Sequence, residues 1–221
     1  WKQATGFRGG IEAQIRKFIP AGSGLGGASS DAAATLAGLE RLTGGRLDAA
    51  QRFRLASGLG SDVPLFLLGG RVLGCGRGEE VYPLDDLDPA ECLVVFPGFK
   101  LLTADAYLQA SSALTTKGEP NSIGSFGVWS QLPWSTWGPA ENDFERVVFA
   151  KWPELGRLKS QLIRAGAETA CLTGSGSAVY AIFDSPGKLL QATRIVPKGW
   201  RAFHTQTLNR KAYHRLLYAT K

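Results

Sequence analysis

The sequence predicts an α+β protein built as two lobes, and three observations lead there. Helical and strand-like runs alternate along the whole 221 residues, the pattern of an α+β lobe around a mostly antiparallel sheet. The strand-like runs, such as Cys92–Phe96 (CLVVF) and Ala178–Phe183, end at Gly, Pro or Ser turns. A polar, proline-containing stretch from Asp85 to Glu91 then divides the chain into residues 1–88 and 89–221.

The first lobe opens with Ile11–Phe18, where Ile11, Ala13 and Ile15 alternate with Glu12, Gln14 and Arg16. This period of two predicts a strand. It delivers the chain into Ile19–Leu36, IPAGSGLGGASSDAAATL. Gly22, Gly24, Gly26 and Gly27 leave the backbone bare, and Ser29, Ser30 and Asp31 favour a helix start. Ala32, Ala33, Ala34 and Leu36 continue as helix to a stop at Gly44-Gly45. A bare loop feeding a helix N-terminus offers unpaired N–H groups and the positive end of the helix dipole, which suits a phosphate.

Two common phosphate loops are excluded by their surroundings. A Walker A loop needs Lys-Ser/Thr after its last glycine, and Gly27 is followed by Ala28, Ser29 and Ser30. Gly22, Gly24 and Gly27 do match G-x-G-x-x-G, with Asp48 about 20 residues on. A dinucleotide fold needs a buried strand leading to that acid. The residues before Phe53 instead read as a helix stop and a helix start.

Asp48 with Gln51 forms a capping-box pattern for a second helix containing Phe53 and Leu55. Pro64 suits the first turn of a short helix and sets Asp62 at its start. Val72-Leu73 and Glu80–Leu84 predict two strands joined through a turn at Gly76–Gly78. In the second lobe Thr103 heads a helix through Leu108, and residues 116–138 predict a long loop. Asp143 starts a helix through Phe149, with Asn142 serving its beginning. Leu155, Leu158 and Leu162 share one face of a helix over Glu154–Ala165, stopped by Gly166. The strand Ala178–Phe183, a helix over Gly187–Ile195, the strand Arg201–Thr207 and a final helix complete the chain.

Composition narrows the function classes. An apolar fraction of 44% and a charged fraction of 20% are ordinary for a soluble globular protein. No run approaches the roughly 18 apolar residues of a membrane span, and no charged-then-apolar leader opens the chain. A net charge of +6 suits anionic ligands, and its scatter along the chain argues against nucleic acid. Cys75, Cys92 and Cys171 are isolated and fit reduced thiols in a cytoplasmic protein. His204 and His214 lack a third ligand nearby in sequence, so no metal-ligating residues are assigned. The chain has no Met and begins at Trp1, so it is expected to be part of a longer translated chain.

Three ordered stretches carry a family resemblance. PAGSGLGGASSDAAATL resembles the second motif of the GHMP small-molecule kinases. LGSDVPLFLLGG (Leu59–Gly70) resembles the segment that bears the catalytic aspartate in one branch, and LTGSGSAVYAIF (Leu172–Phe183) resembles the third motif. GSDVPLF with GRGE at Gly76–Glu79 is most similar to the isoprenoid-precursor branch, whose acceptor is a cytidine diphosphate alcohol. The resemblance implies a ribosomal-S5-domain-2-like nucleotide lobe, a ferredoxin-like second lobe, and transfer of the γ-phosphate of ATP, with Mg²⁺, to a 2-hydroxyl. It also implies a first motif bearing a lysine and an asparagine well ahead of Pro20, expected to be missing here.

Site residues follow from the same resemblance. Pro20, Ala21, Gly22, Ser23, Gly24, Leu25, Gly26, Gly27, Ala28, Ser29 and Ser30 are implied to bind ATP. Thr173, Gly174, Ser175, Gly176 and Ser177 form a second phosphate loop; by themselves they read as a tight turn. Thr103 and Tyr107 match a substrate element in which the ring stacks on cytosine; locally they read equally as a helix cap and a core aromatic. Asp62 is implied to be the base, and on local sequence it serves a cap as well as a base. Asp31 reads as loop-stabilising or near the metal, and Lys17 as facing phosphate or water. Rival readings are another GHMP kinase acting on a sugar, homoserine or mevalonate derivative, and a non-catalytic nucleotide-binding relative. The expected assembly is a monomer or homodimer, without nucleic acid or membrane partners.

Overall fold

The structure, a computed structural model, describes residues 1–45, 47–101 and 140–219. Thr103, Tyr107 and the loop expected over residues 116–138 lie outside the described residues. The chain forms two compact units that interleave along the sequence. The first comprises Trp1–Phe18, Gly26–Asp86 and Leu208–Lys221; the second comprises Ile19–Leu25 and Leu87–Thr207.

In the first unit a short helix α1 (Lys2–Thr5) precedes the helices α2 (Gly27–Thr43), α3 (Ala49–Leu59) and α4 (Val63–Leu68). The expected signals operate at their ends. Gly44 ends α2 by returning its N–H to the Glu40 carbonyl at 3.1 Å. Asp48 and Gln51 form a full capping box, Gln51 N–H to Asp48 Oδ1 at 2.7 Å and Asp48 N–H to Gln51 Oε1 at 3.1 Å. Ala33, Leu36, Ala56, Val63 and Leu67 form the core where these helices meet, with Phe53 and Phe66 packed against it. The strands β1 (Val72–Cys75) and β2 (Glu80–Pro83) pair antiparallel across the turn at residues 76–79.

The strand expected over Ile11–Phe18 does not form. A strand needs a neighbour for its N–H and C=O groups, and among the described residues none pairs with this segment. Ile15 and Phe18 are left exposed.

Among the described residues the second unit holds a four-stranded antiparallel sheet of β3 (Glu91–Phe96), β4 (Thr169–Leu172), β5 (Val179–Phe183) and β6 (Arg201–Gln206), in spatial order β4-β5-β3-β6. Counted within the unit this is second-third-first-fourth, the ferredoxin-like order. Leu93 of β3 stands opposite Ala181 of β5 and His204 of β6. The described helices of this unit are α5 (Phe144–Lys151), α6 (Pro153–Arg164) and α7 (Pro186–Thr193). The predicted stripe Leu155, Leu158 and Leu162 is fully buried and joins Leu93, Val95, Val179 and Phe183 in one core. Strand β4 (TACL) is an addition to the sequence expectation: it is too short to show a period.

The last helix, α8 (Arg210–Leu217), returns to the first unit. Asn209 caps it by accepting from the Ala212 N–H at 2.8 Å. Arg210 donates to the Gly69, Arg71 and Leu84 carbonyls at 3.2, 2.7 and 3.2 Å. Tyr213 donates its hydroxyl proton to the Phe66 carbonyl at 2.6 Å. Burial alone would raise the Asp86 pKa. The N–H groups of Arg71 and Arg210, with the Arg210 and His214 charges, outweigh burial and hold it below the usual value.

Candidate active site

The glycine loop and the second expected phosphate loop interlock within the second unit. Gly22 and Ser23 run beside Ser177 and Ala178. The Gly22 carbonyl accepts from the Ser177 and Leu101 N–H groups, each at 3.4 Å. The Ser23 carbonyl accepts from the Ala178 N–H at 2.9 Å and from Thr173 Oγ1 at 3.3 Å. Ser23, Thr173, Ser175 and Ser177 are all buried. Ser177 also donates its hydroxyl proton to the Phe99 carbonyl at 2.5 Å.

The interlock explains why glycine stands at two positions. A Cβ on Gly24 would sit 2.0 Å from the Thr173 carbonyl oxygen, and its φ is +79°. A Cβ on Gly174 would sit 3.1 Å from the Gly24 carbonyl, at φ +49°. Each loop thus touches the backbone of the other, an approach that side chains would block.

The second loop is held from outside by the start of α5. Asn142, one residue before the N-cap Asp143, accepts from the Phe144 N–H at 3.0 Å at the start of α5. Its Nδ2 also donates to the Leu172 and Gly174 carbonyls at 2.9 and 2.7 Å. Glu145 Oε1 accepts from the Leu172 N–H at 2.9 Å, while Oε2 pairs with Lys159 at 2.6 Å. Burial, reinforced by the Glu145 carboxylate, pushes the neighbouring Cys171 thiol up to about 12. Sequence reading assigned Asn142 to the helix start, which holds, but missed its grip on the loop and missed Glu145 and Lys159. The signal was present only as a helix start, because the partners lie roughly 30 residues downstream.

In the first unit, α2 begins at Gly27 behind Gly26, which makes no side-chain cap bond. Its first helical bond runs from the Ser30 N–H to the Gly26 carbonyl at 2.9 Å. The N–H groups of Gly27, Ala28 and Ser29 therefore have no acceptor within the helix. Free N–H groups at a helix start are the kind of donor that an anion takes up. Asp31, one turn in, pairs with Lys17, so among the described residues Lys17 is engaged by a carboxylate.

Asp62 directly precedes α4 and its side chain does not cap that helix. The Val63 N–H goes instead to the Gly60 carbonyl at 3.1 Å. The cap alternative is thus unused, and the exposed Asp62 carboxylate is available for other chemistry. The turn at residues 76–79 approaches the same corner, where a Cβ on Gly78 would stand 3.9 Å from Ser61 Cβ. Among the described residues no group of three or more His, Cys, Asp or Glu side chains is arranged to hold a metal ion, and no helix is long and apolar enough to cross a membrane.

The structure thus unites residues 20–25 with residues 173–177 in one unit and places Gly26–Ser30 and Asp62 in the other. Residues 1–70 match the family described as GHMP kinases N terminal domain, and residues 121–202 match GHMP kinases C terminal. The chain belongs to the GHMP kinases. Within them it is similar to a Solibacter usitatus protein named 4-diphosphocytidyl-2-C-methyl-D-erythritol kinase, at 42% identity over 94% of this chain and 66% of that protein. A Solidesulfovibrio magneticus protein of the same name is 43% identical over 81% of this chain and 62% of its own length. The chain therefore spans just under two thirds of the length of these relatives. A crystal structure of 4-(cytidine 5'-diphospho)-2C-methyl-D-erythritol kinase superposes with a TM-score of 0.72 at 31% identity, covering 93% of this chain and 74% of that one. The mixed α and β architecture is that of this family.

Proposed function

We propose that the protein takes part in ATP-dependent phosphorylation of the 2-hydroxyl of 4-diphosphocytidyl-2-C-methyl-D-erythritol, a step in isoprenoid precursor synthesis. The observation that carries the reading is the interlock of residues 22–24 with 173–178. It brings the glycine backbone of two loops side by side, the kind of arrangement that a phosphate cradle uses. The choice of acceptor is supported by the names of the similar proteins and by the GSDVPLF segment around Asp62.

In this reading residues 20–30 and 173–177 hold the triphosphate through main-chain N–H groups, and Asp62 accepts or orients the hydroxyl proton. The hydroxyl oxygen forms a bond to the γ-phosphorus as the bond to the β-γ bridging oxygen breaks, leaving ADP. Mg²⁺ would be held largely by phosphate oxygens and water, with Asp31 as the carboxylate proposed to lie near it, and it would neutralise phosphate charge. Thr103 and Tyr107 belong to the substrate side of the proposal. The protein is proposed to act in the cytoplasm, as a monomer or homodimer, on a small molecule and without nucleic acid.

The test is ADP release with 4-diphosphocytidyl-2-C-methyl-D-erythritol, homoserine and mevalonate as competing acceptors. Turnover is expected with the cytidine compound alone, and to vanish when EDTA removes the metal. Asp62→Asn is expected to lower kcat by about two to four orders of magnitude while KM for ATP changes little. Equal turnover on homoserine or mevalonate would move the protein to another branch. An unchanged kcat in Asp62→Asn would remove that residue from the chemistry.

A further inference from the structure

Among the described residues strand β4 lies at the edge of its sheet, with β5 on one side only. An edge strand presents a row of unpaired N–H and C=O groups. At its last residue, Leu172, both outward groups are taken by side chains from the start of α5. Glu145 Oε1 accepts from the Leu172 N–H and Asn142 Nδ2 donates to the Leu172 carbonyl, each at 2.9 Å. The two side chains pair Leu172 as a neighbouring strand would. At the other end of the strand, the Thr169 hydroxyl accepts from the Ala140 N–H at 3.0 Å. Asn142 reaches one step further, to the Gly174 carbonyl inside the loop at 2.7 Å. Gly174 is the residue whose backbone touches Gly24. Glu145 is in turn fixed by Lys159, which also donates to the Ala140 carbonyl at 3.2 Å.

We infer that Asn142 and Glu145 are positioning residues for the triphosphate. They close the edge of β4, hold Leu172–Gly174 in register, and so keep the second loop locked on the first. The inference rests on the phosphate-cradle reading of the two loops, and it adds to that reading the side chains that set cradle geometry from outside. Asn142 carries more of the effect, because it alone reaches Gly174.

The roles of Asn142 can be separated chemically. Asn142→Asp keeps an oxygen that accepts from the Phe144 N–H, so the bond at the start of α5 stays. It replaces the Nδ2 donor by an oxygen facing two carbonyl oxygens, so the grip on the loop is lost. Glu145→Gln keeps an acceptor for the Leu172 N–H and gives up only the charge facing Lys159.

The experiment uses the whole 221-residue protein, with hydrogen exchange of the amides from 172 to 177 and titration with ATP and with inorganic tripolyphosphate. Asn142→Asp is expected to speed loop exchange at least about tenfold. Affinity for both triphosphates should fall in parallel by about tenfold, the scale of one net hydrogen bond. Glu145→Gln should stay within about threefold of the parent on both readouts. Asn142→Ser, which can still accept at the start of α5 but is too short to reach the loop, is the second variant should the aspartate lower the melting temperature substantially. Unchanged exchange in these Asn142 variants overturns the brace. Faster exchange with unchanged triphosphate affinity overturns its positioning role. A parent protein that binds neither triphosphate defeats the cradle reading, and the positioning role with it, whereas the exchange result still decides the brace.

Discussion

The two glycine-rich loops do the same kind of work with different materials. Residues 22 and 23 are held through their carbonyls, which accept from the second loop and the strand after it, and the Ser23 side chain is buried. Residues 173–177 are held through side chains: Thr173 and Ser177 from within, Asn142 and Glu145 from α5. The first loop therefore depends on having no side chain at Gly24. The second depends on having particular ones around it. A loop fixed by backbone contact fails sharply on a single added methyl group, while a loop held by many side chains loses strength in steps.

That contrast can be broken most directly at Gly24. Gly24→Ala is expected to destabilise the protein by about 3 kcal/mol or more, since a left-handed φ and a backbone clash coincide there. Urea unfolding measures it, and a cost under 1 kcal/mol would mean the loops part readily. Ser177→Ala should cost about 1–3 kcal/mol, because the Phe99 carbonyl loses a buried donor. In the second loop Gly174→Ala is expected to cost about 1 kcal/mol, with a looser contact of 3.1 Å and the same kind of positive φ. Equal losses at Gly24 and Gly174 would erase the proposed difference between the loops.

The smallest effect is a pH dependence at Cys171, on β4 just before the side-chain-held loop. Cys171 has its thiol pushed from 9.0 up to about 12 by burial first and by Glu145 second. The folded state keeps this thiol neutral where the unfolded chain would ionise it. Its contribution is full below pH 9 and is lost as pH rises toward 12. Unfolding followed between pH 8 and 11 should show a steeper decline for the parent than for Cys171→Ala. Parallel curves would show that the thiol does not matter there.

Local signals proved legible in the sequence where a residue and its partner lie within one or two turns. Asp48 with Gln51, Gly44, and the Leu155–Leu158–Leu162 stripe each act within a few residues, and each forms as read. Ile11–Phe18 has the alternation of a strand yet is none, because alternation describes a face and pairing needs a second chain segment. Strand β4 shows the converse: four buried residues without alternation pair with β5 through its register, Thr169 opposite Ile182. At the candidate site the glycines announced themselves through their spacing. Glu145 and Lys159 did not, because a carboxylate on a helix looks solvated until the loop it holds has folded against it.

The return of α8 to the first unit sets an order of events during synthesis. Arg210 closes over the carbonyls of Gly69, Arg71 and Leu84 only after more than a hundred intervening residues have been made. A nascent chain that has finished its second unit still carries an open first one. Ribosome-bound intermediates stalled before Arg210 should therefore expose the α4 end to protease, and release of the last helix should shut it.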